Sequence, residues 1–258
     1  MPIFGTMPAM NTLVKIGVYG LGRFGSFWAS ELAKHGFSVF GYGRSAKQAP
    51  AGVSLATEDE VLSCDVLFYC VAISAFEEVL KRTSARIRPN TLVMDTCSVK
   101  LYPAKLMREH LPGDIHSIAT HPMFGPDSGK NGIAGLPLVI CPVNAPPSLV
   151  QQWVEEFVRW ELKVHQMSCD QHDREAAWSQ GITHFVGRTL AELSLGETQL
   201  ATIGYRNLTS IVEQTCNDPL QLFYDLQRYN PYARQMRMGL KGAVDTVMQT
   251  LKDQEGSF

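Results

Sequence analysis

Over the first two-thirds of the chain, apolar residues fall in short runs split by turn residues and by helically spaced stretches. Runs at Thr12–Tyr19, Ser38–Tyr42, Val66–Val71, Thr91–Asp95, Ile115–Thr120 and Pro137–Cys141 predict strands, with a last one at Leu162–Gln166. Helical spacing at Phe24–His35, Phe76–Ala85 and Pro147–Trp160 predicts helices between them. Such alternation predicts an α/β, Rossmann-type doubly wound sheet, largely parallel and covered by helices on both faces. After about Cys169 the period changes. Asp170–Leu195 is long, periodic and free of proline, and helical segments follow at Thr198–Thr215, Pro219–Tyr229 and Ala233–Lys252. The pattern therefore predicts a sheet domain over 1–168 and an all-helical domain over 169–258. About 90 residues is small for independent stability, so a homodimer formed through the helical domain is expected.

Composition narrows the classes. Residues 1–168 carry 15 Lys/Arg and 14 Asp/Glu, and residues 169–258 carry 8 and 11. Neither part is basic enough to track phosphates, so no nucleic-acid partner is expected. The longest apolar run, Val66–Ile73, has eight residues, against about 20 for a membrane span. No basic residue precedes Lys15, so the start lacks the pattern of a signal peptide. The six cysteines show no C-x-x-C and no histidine-paired spacing; reduced thiols in a cytoplasmic protein, without a metal site, are expected.

The chemistry begins at Gly20-Leu21-Gly22-Arg23-Phe24-Gly25, a G-x-G-x-x-G between a predicted strand and helix. There the glycines allow a tight turn, a close approach of backbone to a pyrophosphate, and close helix–strand packing. The second predicted strand ends in Gly43-Arg44-Ser45, and no carboxylate occurs from 32 to 57. An acid there would bind the ribose hydroxyls of NAD, whereas arginine and serine suit a 2′-phosphate. NADP is thus the expected cofactor, with NAD as the alternative.

Two polar clusters sit at later strand ends: Asp95-Thr96-Cys97-Ser98-Val99-Lys100 and Thr120-His121-Pro122-Met123-Phe124-Gly125-Pro126. Pro122 holds His121 extended, as a continuation of its strand. A histidine beside a nicotinamide can accept a hydroxyl proton as hydride leaves carbon, and Ser98 can orient it. In the helical part, His172, Ala176, Gln180 and His184 are spaced by four and are predicted to share a helix face.

In these segments the chain resembles the prephenate/arogenate dehydrogenases of tyrosine biosynthesis. The resemblance continues through Gly204-Tyr205-Arg206, Asn217-Asp218-Pro219 and Tyr229-Asn230, and is nearest to the compact, plant-like branch. It implies oxidative decarboxylation of a cyclohexadienol, with hydride passing to the nicotinamide and an aromatic product. It implies His121 as the catalytic histidine and Ser98 as its partner at the 4-hydroxyl. His172 and His184 would line the substrate pocket, with Gln180 and Thr183 nearby; the two carboxylates of such a substrate call for a fixed cation, for which Arg206 is the candidate. It also implies a dimer through the helical domain. An arogenate-selective enzyme should offer an acid to the substrate ammonium; residues 131–135 hold none, which favours prephenate, with arogenate as the alternative. A nucleotide-sensing protein without turnover is a further reading. A lysine-dependent hydroxyacid dehydrogenase fits poorly, because residues 170–195 contain no lysine.

Overall fold

A computed structural model describes residues 14–255. Of the first predicted strand, Thr12 and Leu13 lie outside the described residues, as does the start of the chain. The remainder forms β1 (Lys15–Tyr19), followed by β2 (Ser38–Tyr42), β3 (Val53–Leu55), β4 (Val66–Tyr69), β5 (Leu92–Asp95), β6 (His116–Pro122), β7 (Pro137–Asn144) and β8 (Lys163–Gln166). They make one sheet in the order β3-β2-β1-β4-β5-β6-β7-β8. Every pairing is parallel except β6 with β7. β4 and β5 are buried along their whole length, which is why they read as unbroken apolar runs rather than alternating ones.

Helices α1 (Arg23–Lys34), α2 (Glu58–Leu62), α3 (Ile73–Thr83), α4 (Leu101–His110) and α5 (Pro147–Arg159) connect the strands. β3, α2 and α4 are absent from the sequence expectations. β3 is a three-residue edge strand, too short to show a period. α2 is five residues long, but Thr57 and Glu60 form a capping box at its start, a signal the sequence carries. The core beneath α1 and α5 is aromatic: Trp28, Phe68, Trp153, Phe157 and Trp160 are all buried and in ring contact.

A buried ion pair joins the ends of β5 and β6. The Lys100 ammonium and the Asp95 carboxylate are both fully buried and in contact. Lys100 Nζ also donates to the Thr120 carbonyl at 2.5 Å, and Asp95 Oδ2 accepts from the Cys97 N–H at 2.9 Å. The Thr120 hydroxyl donates to the Asp95 carbonyl at 2.5 Å. Burial works against the Lys100 charge, but Asp95 opposite outweighs it and holds the ammonium protonated.

The chain divides into two compact units, one ending at Asp170 and the next beginning at Gln171. The second is helical. The predicted single helix over Asp170–Leu195 is instead three pieces: α6 (Cys169–Ala176), a π-helical segment (Ala177–Gly181) and α7 (Ile182–Ala191). α8 (Ile203–Asn217), α9 (Leu220–Tyr229) and α10 (Ala233–Glu255) follow. α8 starts later than its periodicity suggests, because Thr202 caps it by accepting the Tyr205 N–H. Gly187 lets α7 press on α8: a Cβ there would stand 2.2 Å from Thr215 Oγ1. Arg188 ties off the far end of α8, donating to the carbonyls of Thr215 and Asp218 at 3.0 and 2.8 Å.

The Lys100–Asp95 pair makes a stability prediction. Lys100→Met leaves a carboxylate buried without its cation, at a cost of about 3–5 kcal/mol. The midpoint of thermal unfolding should fall by on the order of 10 °C. Adding Asp95→Leu should recover part of that loss. A single variant that melts like the wild type would refute the assignment.

Candidate active site

In a sheet of this order, loops after the parallel strands gather at one edge. The glycine turn follows β1 there. Gly20 has φ +108°, and a Cβ on it would stand 2.4 Å from the Cys70 carbonyl oxygen. A Cβ on Gly25 would fall 1.8 Å from the Gly20 carbonyl oxygen, so this position packs the helix onto the turn. Gly22 differs: a Cβ there would meet nothing within 4 Å. Its backbone faces open space at the start of α1, the place where a pyrophosphate needs room. Leu21 lies over β2, since a Cβ on Gly41 or Gly43 would reach its side chain at 2.9 or 3.1 Å. Phe24 belongs to the core side, its ring stacked on Trp28 at 6.2 Å between centroids. Arg23 is paired with Asp127 at 2.5 Å.

Arg44 and Ser45 lie exposed in a tight turn directly after β2, closed by the Ala46 N–H donating to the Gly43 carbonyl at 3.0 Å. Among the described residues, Arg44 has no ion-pair partner. The turn thus leaves a guanidinium and a hydroxyl unspent beside the glycine turn. These features fit a dinucleotide: open backbone at a helix start for the pyrophosphate, and donors at the end of β2 for the ribose.

Ser98 follows β5 and His121 is the penultimate residue of β6. Because those strands are neighbours, the two residues come to the same sheet edge as the glycine turn. His121 is buried, at 2% exposure, while Ser98 is half-buried. The Lys100–Asp95 pair lies between their elements and fixes both strand ends. Sequence reading noted Lys100 in its cluster without giving it this task.

The other expected site residues belong to the helical unit. His172 is buried, and its Nδ1 is 2.8 Å from Asp173 Oδ1. His184 is buried too, with Nε2 3.8 Å from Asp218 Oδ2. Burial pushes the His184 imidazole below its ordinary value, against the opposing pull of Asp218. His184 Nδ1 and Gln180 Oε1 are buried with no hydrogen-bond partner among the described residues. Unsatisfied buried groups are costly, and two in one segment mark where a polar ligand would be received. Asp218 stands in the Asn217-Asp218-Pro219 segment of the resemblance, to which the sequence assigned no site role.

Three further residues have hydrogen bonds of their own. Thr183 spends its hydroxyl on the Ser179 carbonyl at 2.9 Å, within its own helix. Gly204-Tyr205 lies in the first turn of α8, within the predicted helical segment, and Arg206 is exposed there, donating to the Ala201 carbonyl at 2.9 Å. Asn230, expected near the pocket rim, has both ends of its amide in use. It donates to the Asp173 carbonyl at 2.8 Å and accepts the Tyr232 N–H at 2.9 Å. Among the described residues, no group of three His, Cys, Asp or Glu side chains could hold a metal.

Comparison with known proteins gives the family of the chain. The family model for the prephenate dehydrogenase nucleotide-binding domain matches residues 28–162, and the TYRAAT1-like C-terminal domain matches 189–257. The chain is 39% identical to arogenate dehydrogenase 1, chloroplastic, of Arabidopsis thaliana, over 85% of this chain and 36% of that protein. Against arogenate dehydrogenase 2, chloroplastic, of the same plant the identity is 36%, over 93% and 71%. The chain therefore spans about a third of the first relative and most of the second. Among solved structures, prephenate dehydrogenase from A. aeolicus, in complex with hydroxyphenyl propionate and NAD+, aligns with a TM-score of 0.72. Its identity is 16%, over 94% of this chain and 92% of that one. Synechocystis arogenate dehydrogenase gives 0.69 at 20% identity, over 93% of each. Those two likenesses speak to the fold. The nucleotide-binding match and the identity to the plant enzymes establish that this chain belongs to the prephenate/arogenate dehydrogenase family of oxidoreductases.

Proposed function

We propose that the protein catalyses NADP-linked oxidative decarboxylation of a cyclohexadienol, prephenate or arogenate, to the corresponding 4-hydroxyphenyl product. The observation that carries this reading is the convergence of His121, Ser98 and the open Gly22 backbone at one sheet edge. Bound nicotinamide would supply the hydride acceptor. His121 takes the proton of the 4-hydroxyl, as a neutral imidazole can near pH 7. Ser98 holds that hydroxyl and the imidazole in line. The ring carboxylate leaves as carbon dioxide and the ring becomes aromatic, so orientation and one base are the main demands on the protein. His172, Gln180 and His184 receive the rest of the substrate, with Arg206 and Thr183 as weaker contributors. Regulation apart, a sensor without turnover would have no use for this set.

The residues favour prephenate. No acid lies at 131–135, and the nearby Asp127 is already paired with Arg23. The second reading, arogenate, is favoured by the names of the two plant relatives. The cofactor reading rests on Arg44 and Ser45, with NAD as the alternative. A reducing compartment such as the cytoplasm suits six unpaired cysteines. No helix of the described residues is long and apolar enough to cross a membrane.

A homodimer through the helical unit is supported by α10. Val244, Val247, Met248 and Leu251 recur at helical spacing on that helix and are all exposed. An apolar stripe of this kind calls for a covering surface. Light scattering at micromolar concentration should give a dimer, and Val247→Glu with Met248→Lys should give monomers. A wild-type monomer would refute the assembly.

Three kinetic outcomes follow. Reduced-nicotinamide absorbance should appear on mixing the protein with NADP and prephenate or arogenate; comparing kcat/KM for the two substrates decides between them. His121→Asn should lower kcat by ~10²–10⁴-fold while cofactor affinity stays unchanged. No absorbance change with either substrate would leave the sensor reading standing instead. Arg44→Ala should weaken NADP by roughly tenfold or more and leave NAD unaffected, as expected for loss of a charged phosphate contact. Equal losses for both cofactors would contradict the assignment of Arg44.

A further inference from the structure

Twelve residues separate His172 from His184. In an uninterrupted α-helix each residue turns the chain by about 100°, so twelve steps leave the two side chains about 120° apart. Spacing by four does not keep them on one face over that distance. Between them lies the π-helical segment Ala177–Gly181. A π turn closes on the fifth residue rather than the fourth and so absorbs one extra residue. The path then amounts to about eleven α steps, and the angle falls to roughly 20°. Burial follows this count. His172, Ala176, Gly181, His184 and Gly187 are buried, and the step from Ala176 to Gly181 is the long one. A Cβ on Gly181 would stand 3.3 Å from the Ala176 carbonyl oxygen, five residues back.

A π segment is a poor arrangement on its own and needs outside support. Gln227 on α9 supplies it. Its Nε2 donates to the Gly181 carbonyl at 3.0 Å. Arg237 on α10 fixes Gln227 in turn. Its Nη1 donates to Gln227 Oε1 at 2.8 Å and to the Gln227 carbonyl at 3.1 Å. Both ends of the amide are therefore used, one on the segment and one on the guanidinium. Both residues are half-buried and neither is a core side chain.

We propose that Gln227, held by Arg237, is a positioning residue that clamps the π segment and so keeps His172 and His184 on one face for the substrate. The proposal rests on the reading of those histidines as substrate-facing. The clamp touches neither substrate nor cofactor. Its loss changes where the two imidazoles stand, and leaves the proton acceptor His121 as it was.

Gln227→Glu is the discriminating variant. It keeps an acceptor for Arg237 but turns a carboxylate oxygen toward the Gly181 carbonyl, where a donor is needed. Substrate KM should rise by about tenfold, with kcat and cofactor KM within twofold of wild type. Amide hydrogen exchange over 177–184 should quicken. Gln227→Met and Arg237→Gln should move the same readouts in the same direction, and Arg237→Lys, which retains a donor, should restore most of the substrate affinity. Unchanged substrate KM and unchanged exchange in Gln227→Glu would overturn the clamp. Control variants His172→Ala and His184→Asn separate the two readings. If they leave KM unchanged, the substrate role of the histidines fails, while exchange over 177–184 still judges the clamp. If they raise KM and Gln227→Glu does not, the clamp alone fails.

Discussion

The buried contact between Lys100 and Asp95 is the constraint on which the sheet edge depends. Two charges inside a protein cost several kcal/mol each in lost hydration, which close pairing and further hydrogen bonds offset. Here the pairing is extensive. The ammonium meets a carboxylate and a carbonyl, and the carboxylate also takes a backbone N–H. Each partner belongs to the end of β5 or β6 or to the loop between β5 and α4. Relaxation of either strand end would strand a charge. Ser98 and His121 thus extend from backbone that has little freedom, which is what a reaction governed by orientation requires.

The two units hold their polar groups by different means. In the sheet unit a full ion pair is enclosed, and the glycine turn leaves one backbone stretch open. In the helical unit the work is done by amides and by helix-end carbonyls: Asn230 on the Asp173 carbonyl, Gln227 on that of Gly181, Arg188 on those of Thr215 and Asp218. The two amides, Asn230 and Gln227, fix geometry without the hydration penalty of an enclosed charge, and Arg188 does the same work with a guanidinium. What remains unsatisfied there among the described residues, Gln180 Oε1, His184 Nδ1 and Arg188 Nε, falls within residues 180–188.

Much of this was legible in the sequence, and the failures have physical causes. Central strands such as Val66–Tyr69 and Leu92–Asp95 show as apolar runs because both faces are covered. The glycine turn shows because its spacing follows from backbone geometry. Pro122 did predict an extended His121. The π segment was not legible. Its sequence, Ala-Trp-Ser-Gln-Gly, continues a helical pattern, and the amide that meets its Gly181 carbonyl belongs to Gln227, nearly fifty residues on. The same holds for the use of Asn230 in a backbone tie and for Asp218 beside His184. Local spacing reports which residue types recur; it does not report which distant donor will meet an unpaired carbonyl.

The four tryptophans are divided between the units in a useful way. Trp28, Trp153 and Trp160 lie within the aromatic core under the sheet, whereas Trp178 sits on the π segment, exposed, with its ring against Gly239. Indoles sealed from water emit at shorter wavelengths than a wetted one. The molecule therefore carries two intrinsic colours, one for each unit, and a denaturation followed at both would distinguish concerted melting from melting in sequence without any label attached.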